Sequence, residues 1–482
     1  MIHYRIILHI TGFLLILDGI FMLLGIPFSL YYGDNDVMIL LMCGFGTALV
    51  GTVLQLLTKR DSKEINKRDG YFIVSIGWIV MSLFGALPFV LHGSIPSYTD
   101  AFFETMSGFT TTGASILHDI ESLPHGLLFW RSITQWLGGM GIIVLSLAIL
   151  PILGIGGMQL YVAEVPGPTK DKIHPRVKDT AKRLWGIYFI LTAVEVVLLM
   201  IGGMNLFDAI CHGFTTMATG GFSTKQASIA HFNSPFIHYV IIIFMFLAGT
   251  NFVLHYHWLH GKFKQVWRND EFRFYSVVTI VVTVIISIGL IYNHHAGIEK
   301  SFRDALFQVV SIVTTTGYVT SDYELWGPFF KVVFFLLLFA GGCAGSTGGS
   351  VKVVRYLLLI KNSLLELRRL IHPRAVIPVR FNGNTVPNDI ISNVLAFFLF
   401  YIFIFVIGTL VMSLIGLDFQ TAMGSVATSL GNVGPAIGSV GPSSNFAHVP
   451  AFGKWFLSLL MLMGRLELFT ILIIFTPAFY KR

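Results

Sequence analysis

Four short stretches of this chain are near-copies of one another, and each reads as a helix too short for the bilayer around it. They are Ala101-FFETMSGFTT-Thr112-Gly113, Ala209-ICHGFTTMAT-Gly220-Gly221, Ala305-LFQVVSIVTT-Thr316-Gly317 and Ala422-MGSVATSLGN-Val433-Gly434. In each, a glycine follows an alanine by 12 positions. Three carry an aspartate just before the alanine (Asp100, Asp208 and Asp304), and the fourth carries Thr421. Asp and Thr both cap helix N-termini well. The pattern predicts a capped helix of about two to three turns, broken by a Thr- and Gly-rich segment. Spanning a bilayer takes about 20 residues, so each stretch must enter and turn back. Composition places the chain in a bilayer: hydrophobic residues are 54% of 482 and charged residues 12%, with a mean hydropathy of +0.75. Those values belong to a polytopic membrane protein. Four such hairpins predict one pore built by a single polypeptide.

The remaining hydrophobic spans frame the hairpins. A two-helix prefix (about 5–30 and 36–58) leads to a basic loop, and its first span has no A-x-A-like cleavage site, so it reads as a retained helix. Helices follow at about 71–92 and 127–158, 184–204 and 235–260, 272–293 and 328–361, and 389–416 and 453–479, each pair around one hairpin. The expected fold is an all-α polytopic membrane protein with four helix–re-entrant loop–helix repeats in pseudo-fourfold arrangement. The domain boundaries are 1–69 for the prefix and its loop, then 70–163, 164–263, 264–372 and 373–482 for the repeats. The hairpin glycines recur at intervals of 108, 96 and 117 residues, and repeats of this kind bury their faces against one another. The net charge of +7 is topological rather than a nucleic-acid footprint. Segments 59–69, 164–183, 260–273, 352–380 and 481–482 hold 24 of the 32 Lys and Arg. This positive-inside bias places the basic loops in the cytoplasm, with the hairpins dipping in from outside.

Non-helical backbone at membrane depth is tolerated only where it is buried in protein or lines a water-filled cavity. If four such segments converge, their carbonyl oxygens can replace the hydration shell of a cation. Aligning successive carbonyls needs residues comfortable at positive φ, hence Gly113, Gly221, Gly317 and Gly434. The filter residues are then Thr111, Thr112 and Gly113, Thr219, Gly220 and Gly221, Thr315, Thr316 and Gly317, and Asn432, Val433 and Gly434. Each short helix directs the negative end of its dipole at the ion. The segments contain no carboxylate, which suits a weakly hydrated monovalent cation better than Ca²⁺ or Mg²⁺. The competing reading is four re-entrant loops that pack helices in a transporter without a continuous pore.

Thr110-TTGAS, Ala218-TGGFS, Thr314-TTGYV and Gly431-NVGPA resemble the four filters of the Trk/Ktr/HKT potassium-transporter superfamily. Trp130-RSITQWLGGMG-Ile142 resembles the stretch after the first filter in bacterial TrkH and TrkG subunits, and the two-helix prefix points to that branch. The resemblance covers essentially the whole chain. It implies a potassium-selective pore in a bacterial inner membrane, permeable also to Rb⁺, a homodimer, and control by a TrkA-type cytosolic nucleotide-binding ring. K⁺ would be the transported ion, with no covalently bound cofactor. With one glycine per filter, discrimination against Rb⁺ and Na⁺ should be looser than in channels with Gly-Tyr-Gly filters. Asn432 and Val433 replace the Thr pair of the other copies, so the filter should depart from fourfold symmetry.

Ala340-GGCAGSTGGS-Val351 interrupts the second helix of the third repeat, with five glycines among residues 341–350. So many glycines break a helix, and irregular backbone there must line a cavity. Without G-K-[ST] it is a poor nucleotide loop; a small-residue packing face is the alternative. The resemblance implies an intramembrane gate of Gly341, Gly342, Gly345, Ser346, Thr347, Gly348 and Gly349. Arg465 lies near the middle of the last expected helix, in an apolar run, where a charge costs at least about 2.5–3.5 kcal/mol on insertion scales. It should face a pore or a partner; the resemblance sets it beside the gate as a positive barrier, and a structural salt bridge is the competing reading. Glu467 is too near in sequence to share its helix face.

Other residues are weaker candidates. Arg131, near the outer end of its helix, reads as snorkelling to the interface. Asp18 and Glu195 lie in apolar helices and suit either proton relay or helix–helix hydrogen bonding. His255, His257 and His260 lack acidic or Cys partners nearby in sequence and make a poor metal site. Cys43, Cys211 and Cys343 suggest no disulfide framework. The amphipathic run Tyr356-LLLIKNSLLELRRLIHPR suits an anionic lipid surface or a cytosolic partner. No hydrolytic constellation appears, so the chain does not read as an enzyme. The expected function is K⁺ uptake driven by membrane potential; a secondary transporter coupling K⁺ to H⁺ or Na⁺ is the alternative.

Overall fold

The computed structural model describes residues 2–58, 67–141, 177–294, 297–375 and 377–480. The prefix is α1 (Tyr4–Leu23), α2 (Ile26–Tyr32) and α3 (Val37–Leu57), followed by α4 (Lys67–Gly85) and α5 (Leu87–His92). A short helix, α6 (Tyr98–Phe109), precedes α7 (His125–Trp136), which runs into a π-helical turn at Leu137–Gly141. Then come α8 (Val177–Ile201), the short α9 (Leu206–Met217), α10 (Pro235–Ala248) and α11 (Phe252–Leu259). Next are α12 (Asp270–His294), the short α13 (Ile298–Val313), α14 (Pro328–Leu337) and α15 (Val353–Ile371). The last set is α16 (Asn388–Leu414), the short α17 (Phe419–Gly431), α18 (Ala451–Arg465) and α19 (Leu468–Leu472). Among the described residues, six helices are long and apolar enough to cross a membrane, or eight if two bent pairs are each one span. The chain is a multi-pass membrane protein. The expected helix at 127–158 and the basic segment 164–183 fall largely outside the described residues.

Two helices expected to be continuous are bent, and a third is broken where its glycine run predicted a break. The span at 235–260 bends by 105° between α10 and α11, and the last span bends by 115° between α18 and α19. The expected helix at 328–361 is α14, an irregular loop and α15. In the first set, Gly139 leaves helical geometry with ψ −105°. Thus the helix after each short helix is broken, in every case beside glycines: Gly138–Gly139, Gly249, Gly341–Gly349 and Gly464. Glycine weakens a helix locally by about 1 kcal/mol and admits close backbone approach. The close approach is real: a Cβ on Gly138 would stand 1.9 Å from Phe109 O, and one on Gly464 2.2 Å from Leu430 O. Each break lets a helix sit against the end of a short helix.

The prefix packs through small residues as membrane helices commonly do. A Cβ on Gly19 would meet Gly44 O at 2.4 Å, and one on Gly51 would meet Gly12 O at 2.5 Å, so α1 and α3 touch at the backbone. Their connection also orients α7. That helix has no side-chain cap of its own; Asp34 Oδ2 accepts from His125 N (2.7 Å) and Asp36 Oδ2 from Leu127 N (3.0 Å). Carboxylates at a helix N-terminus satisfy free amides and the positive dipole end. The prefix thereby fixes the helix that carries Arg131 and Gln135.

Candidate functional site

The short helices start earlier than the sequence pattern suggested. Ser97, Asn205 and Asp418 are the N-caps, accepting from the amides of Asp100, Asp208 and Thr421, while α13 begins after Gly297 with no side-chain cap. Asp100, Asp208 and Thr421 sit three residues inside, where a carboxylate still favours the dipole. The helices consequently run 12, 12, 16 and 13 residues, each still too short to cross a membrane.

Their C-termini are alike. Thr111, Thr219, Thr315 and Asn432 adopt φ of 53°, 54°, 61° and 52°. In the first three copies, the amide of that residue bonds three residues back and the next amide five residues back: Thr111 N to Gly108 O and Thr112 N to Ser107 O, Thr219 N to Thr216 O and Gly220 N to Thr215 O, Thr315 N to Ile312 O and Thr316 N to Ser311 O. In the fourth, Val433 N bonds Thr428 O. This is the left-handed Schellman ending of a helix. Asn tolerates it, but for a β-branched Thr it is a true outlier that persists only where surroundings over-determine it. The ending turns the first two amides back onto the helix and frees the carbonyls to face elsewhere. Two residues on, Gly113, Gly221, Gly317 and Gly434 again have positive φ (79°, 76°, 80° and 100°).

The four segments close a ring. A Cβ on Gly113 would stand 2.2 Å from Gly220 O, on Gly221 1.9 Å from Thr316 O, on Gly317 1.9 Å from Val433 O, and on Gly434 2.9 Å from Thr112 O. Each glycine thus backs onto the carbonyl that precedes the next copy's glycine, and the fourth copy returns to the first. The wider gap and larger φ at Gly434 mark the fourth segment as the asymmetric one. Thr111, Thr112, Thr219, Thr315, Thr316, Asn432 and Val433 are all fully buried.

Side chains lace the ring. Gln135 on α7 donates through Nε2 to Gly220 O (2.7 Å) and accepts from Phe222 N (3.0 Å). Asn432 Nδ2 donates to Thr112 Oγ1 and to Met461 O, both at 2.9 Å. Tyr318, next to Gly317, reaches α9 through the Thr215 hydroxyl and His212 O, and Tyr323 OH donates to Ala436 O (2.6 Å). Arg131 does not snorkel: it is 3% exposed. Its Nε pairs with Glu104 Oε1 at 2.7 Å, its Nη1 donates to Ser223 O at 3.0 Å, and its guanidinium stacks 3.6 Å from the Phe222 ring. Glu104 also receives Ile116 N and the Ser115 hydroxyl, both at 2.9 Å. One buried ion pair therefore ties the stretches after the first and second segments together. Glu104, Gln135, Tyr318 and Tyr323 were missed in the sequence; a buried Glu–Arg pair spaced 27 residues apart has no local signature.

The irregular loop between α14 and α15 lies against the ring. Its neck is closed by pairing of Ala340 with Val351, including Gly341 N to Val351 O at 2.9 Å. Thr347 Oγ1 donates to Met217 O (3.0 Å) and Ala248 O (3.2 Å), Gly349 N to Thr315 Oγ1 (2.7 Å), and Ser350 Oγ to Leu338 O (2.9 Å). Cβ atoms on Gly348 and Gly349 would meet Thr314 O at 2.9 Å and Gly431 O at 2.6 Å. Cys343 N donates to Gly249 O (2.8 Å) and Phe252 N to Gly345 O (3.1 Å), so Gly341, Gly342, Gly345, Ser346, Thr347, Gly348 and Gly349 pack together under the short helices. Arg465 is not in mid-helix. It closes α18 at the break and donates to Thr347 O (2.7 Å), Gly139 O (2.6 Å) and Gly138 O. Glu467, beyond the break at φ 59°, pairs with Arg355 on α15. The break separates the two residues, so the helix-face argument about them does not apply. The three histidines are dispersed, with His255 Nε2 on Leu247 O and His260 Nδ1 on Tyr256 O.

A family model described as cation transport protein, TrkH, matches residues 39–480. The chain belongs to the TrkH family of cation transport proteins. It is 44% identical to the Trk system potassium uptake protein TrkH of Salmonella typhimurium, over 99% of this chain and 100% of that one. It is 36% identical to the Trk system potassium uptake protein TrkG of Escherichia coli K12, over 99% of each chain. The crystal structure of the potassium transporter TrkH from Vibrio parahaemolyticus superposes with a TM-score of 0.89 at 39% identity, covering 100% of both chains. These are transport proteins rather than enzymes, and the mostly helical TrkH-like fold, with one two-stranded hairpin among the described residues, agrees with the class expected from the sequence.

Proposed function

We propose that this TrkH-family chain is the K⁺-conducting membrane subunit of a bacterial Trk-type uptake system. The observation that carries the proposal is the closed ring in which Thr112, Gly220, Thr316 and Val433 each present a carbonyl to the neighbouring segment's glycine. The filter is the set 111–113, 219–221, 315–317 and 432–434, within the four repeats 70–163, 164–263, 264–372 and 373–482. Neutral oxygen dipoles suit K⁺ and Rb⁺ better than divalent ions. The gate is the 341–350 loop with Arg465, whose contacts with Thr347 O and Gly139 O set a cation beside the path. Inward flow is favoured by about 2.3 kcal/mol per charge per 100 mV of negative-inside potential. Homodimerisation, the inner membrane, cytoplasmic basic loops and a TrkA-type nucleotide-binding ring complete the reading, supported by the full-length likeness to Trk uptake proteins. Reversal potentials in liposome-derived bilayers test it: a K⁺ channel follows the K⁺ Nernst potential at every pH and Na⁺ gradient. The second reading, coupled transport through Glu195 or Asp18, is motivated by two buried carboxylates, the former beside the Thr216 hydroxyl of α9. A reversal potential that moves with pH or Na⁺ selects it.

A further inference from the structure

We infer that Glu271 is the positioning residue that holds the irregular loop in its seat under the ring, an inference that rests on reading that loop as the gate. Glu271 is the second residue of α12 and is 4% exposed. Its Oε1 accepts from Ala344 N at 2.7 Å, within the loop, and from Val354 N at 3.2 Å, in the first turn of α15. One oxygen therefore joins the middle of the loop to the helix that leaves it.

The free amides need a hydrogen-bond acceptor placed from outside. The first amides of a helix lack intrahelical partners and carry the positive end of the dipole. Lys352, the N-cap of α15, makes no side-chain capping bond. Glu271 supplies that cap from another helix, and by sharing the same oxygen with Ala344 it makes the loop follow the start of α15. On the far side the loop is held by Arg465 through Thr347 O. The loop is thus suspended between a carboxylate that takes its amide and a guanidinium that takes its carbonyl. The neighbouring Asp270 does a separate job: its Oδ2 receives Lys361 Nζ (2.7 Å) and Asn382 N (3.1 Å), docking the side of α15 and the Arg380–Thr385 hairpin without touching the loop.

Position and charge are separable by two small substitutions. Glu271→Asp keeps the charge and withdraws the oxygen by one methylene; Glu271→Gln keeps the reach and removes the charge. The readout is K⁺ and Na⁺ flux through purified protein in liposomes, with Arg465→Ala and Asp270→Ala measured beside them. Glu271→Asp is expected to raise K⁺ flux several-fold while the K⁺ over Na⁺ preference stays, because the filter is untouched. Glu271→Gln falls closer to the parent, and Glu271→Asp adds little in an Arg465→Ala background, since both release the same loop. Parental flux in Glu271→Asp, a larger effect from Glu271→Gln, full multiplication with Arg465→Ala, or an equal effect from Asp270→Ala each overturns the inference. If Arg465→Ala itself leaves flux unchanged, the gate reading fails first; if it raises flux while Glu271→Asp does not, only the role of Glu271 fails.

Discussion

Replacing Gly113 by Ser is expected to cost the protein its preference among alkali cations before it costs the fold. The added Cβ would lie 2.2 Å from Gly220 O, where real Cβ contacts essentially never fall below 3.0 Å. Something must therefore move by at least 0.8 Å. The oxygen cannot retreat freely, because Gln135 Nε2 holds it at 2.7 Å, a bond worth about 1 kcal/mol. A side chain at φ 79° adds about 1–2 kcal/mol of left-handed backbone strain. Together these reach about 2–3 kcal/mol at the ring proposed as the filter, and each 1.4 kcal/mol is roughly tenfold in an equilibrium. A loss of about 10- to 100-fold in K⁺ over Na⁺ preference follows. Bi-ionic reversal potentials measure it directly, with Rb⁺ as a third ion. The ring geometry also predicts a ranking: serine at Gly221 or Gly317, where the clash is 1.9 Å, disturbs selectivity more than serine at Gly434, where it is 2.9 Å. A correctly inserted Gly113→Ser protein with the parental ion ratio would refute the filter assignment, and an inverted ranking would refute the ring.

Arg465→Ala should raise K⁺ flux. A cation passing about 6 Å from the guanidinium meets repulsion of about 3 kcal/mol at an effective dielectric of about 20, so the gain reaches up to the order of 100-fold in flux assays. Glu104→Gln leaves the buried Arg131 guanidinium without its carboxylate and should destabilise by about 3–5 kcal/mol, read as a fall in the melting temperature of the solubilised protein. Gln135→Ala frees Gly220 O and should lower K⁺ over Na⁺ selectivity with little change in melting temperature; the reverse pattern would make Gln135 purely structural. At the exposed N-cap of α17, the hydrogen bond with the Thr421 side chain holds the Asp418 carboxyl below the usual carboxylate range. A depressed folded value means the cap's contribution is present above the ordinary carboxylate pKa of about 4 and is lost as pH falls through the folded value. Asp418→Ala should flatten that part of the acid unfolding profile.

Much of the fold could be read from residue order. Hydropathy located the six long apolar helices among the described residues, and the repeated stretches located the four short helices, because a helix shorter than a bilayer and ending in glycine has few options in a membrane. The Gly-rich run at 341–350 announced its own break. Three of the caps were misplaced by three residues, because a polar residue at the third helical position and one at the cap serve the same free helix end, and the N-cap of the third short helix, Gly297, lies seven residues before Asp304. The bends at Gly249 and Gly464 were not legible, since a lone glycine in an apolar helix is as often tolerated as broken.

By itself the sequence determined the membrane setting, the count of hairpins and the identity of the glycines, since these depend on local hydropathy and on φ preferences that travel with each residue. Only the tertiary structure decided which carbonyl each glycine faces, that Arg131 is buried on Glu104 rather than lying at the interface, that Arg465 ends a helix against Thr347 O, and that Glu467 pairs with Arg355. Those partners lie tens to hundreds of residues apart. What joins them is the closure of four segments into one ring, and no local preference records which distant oxygen a buried charge will meet.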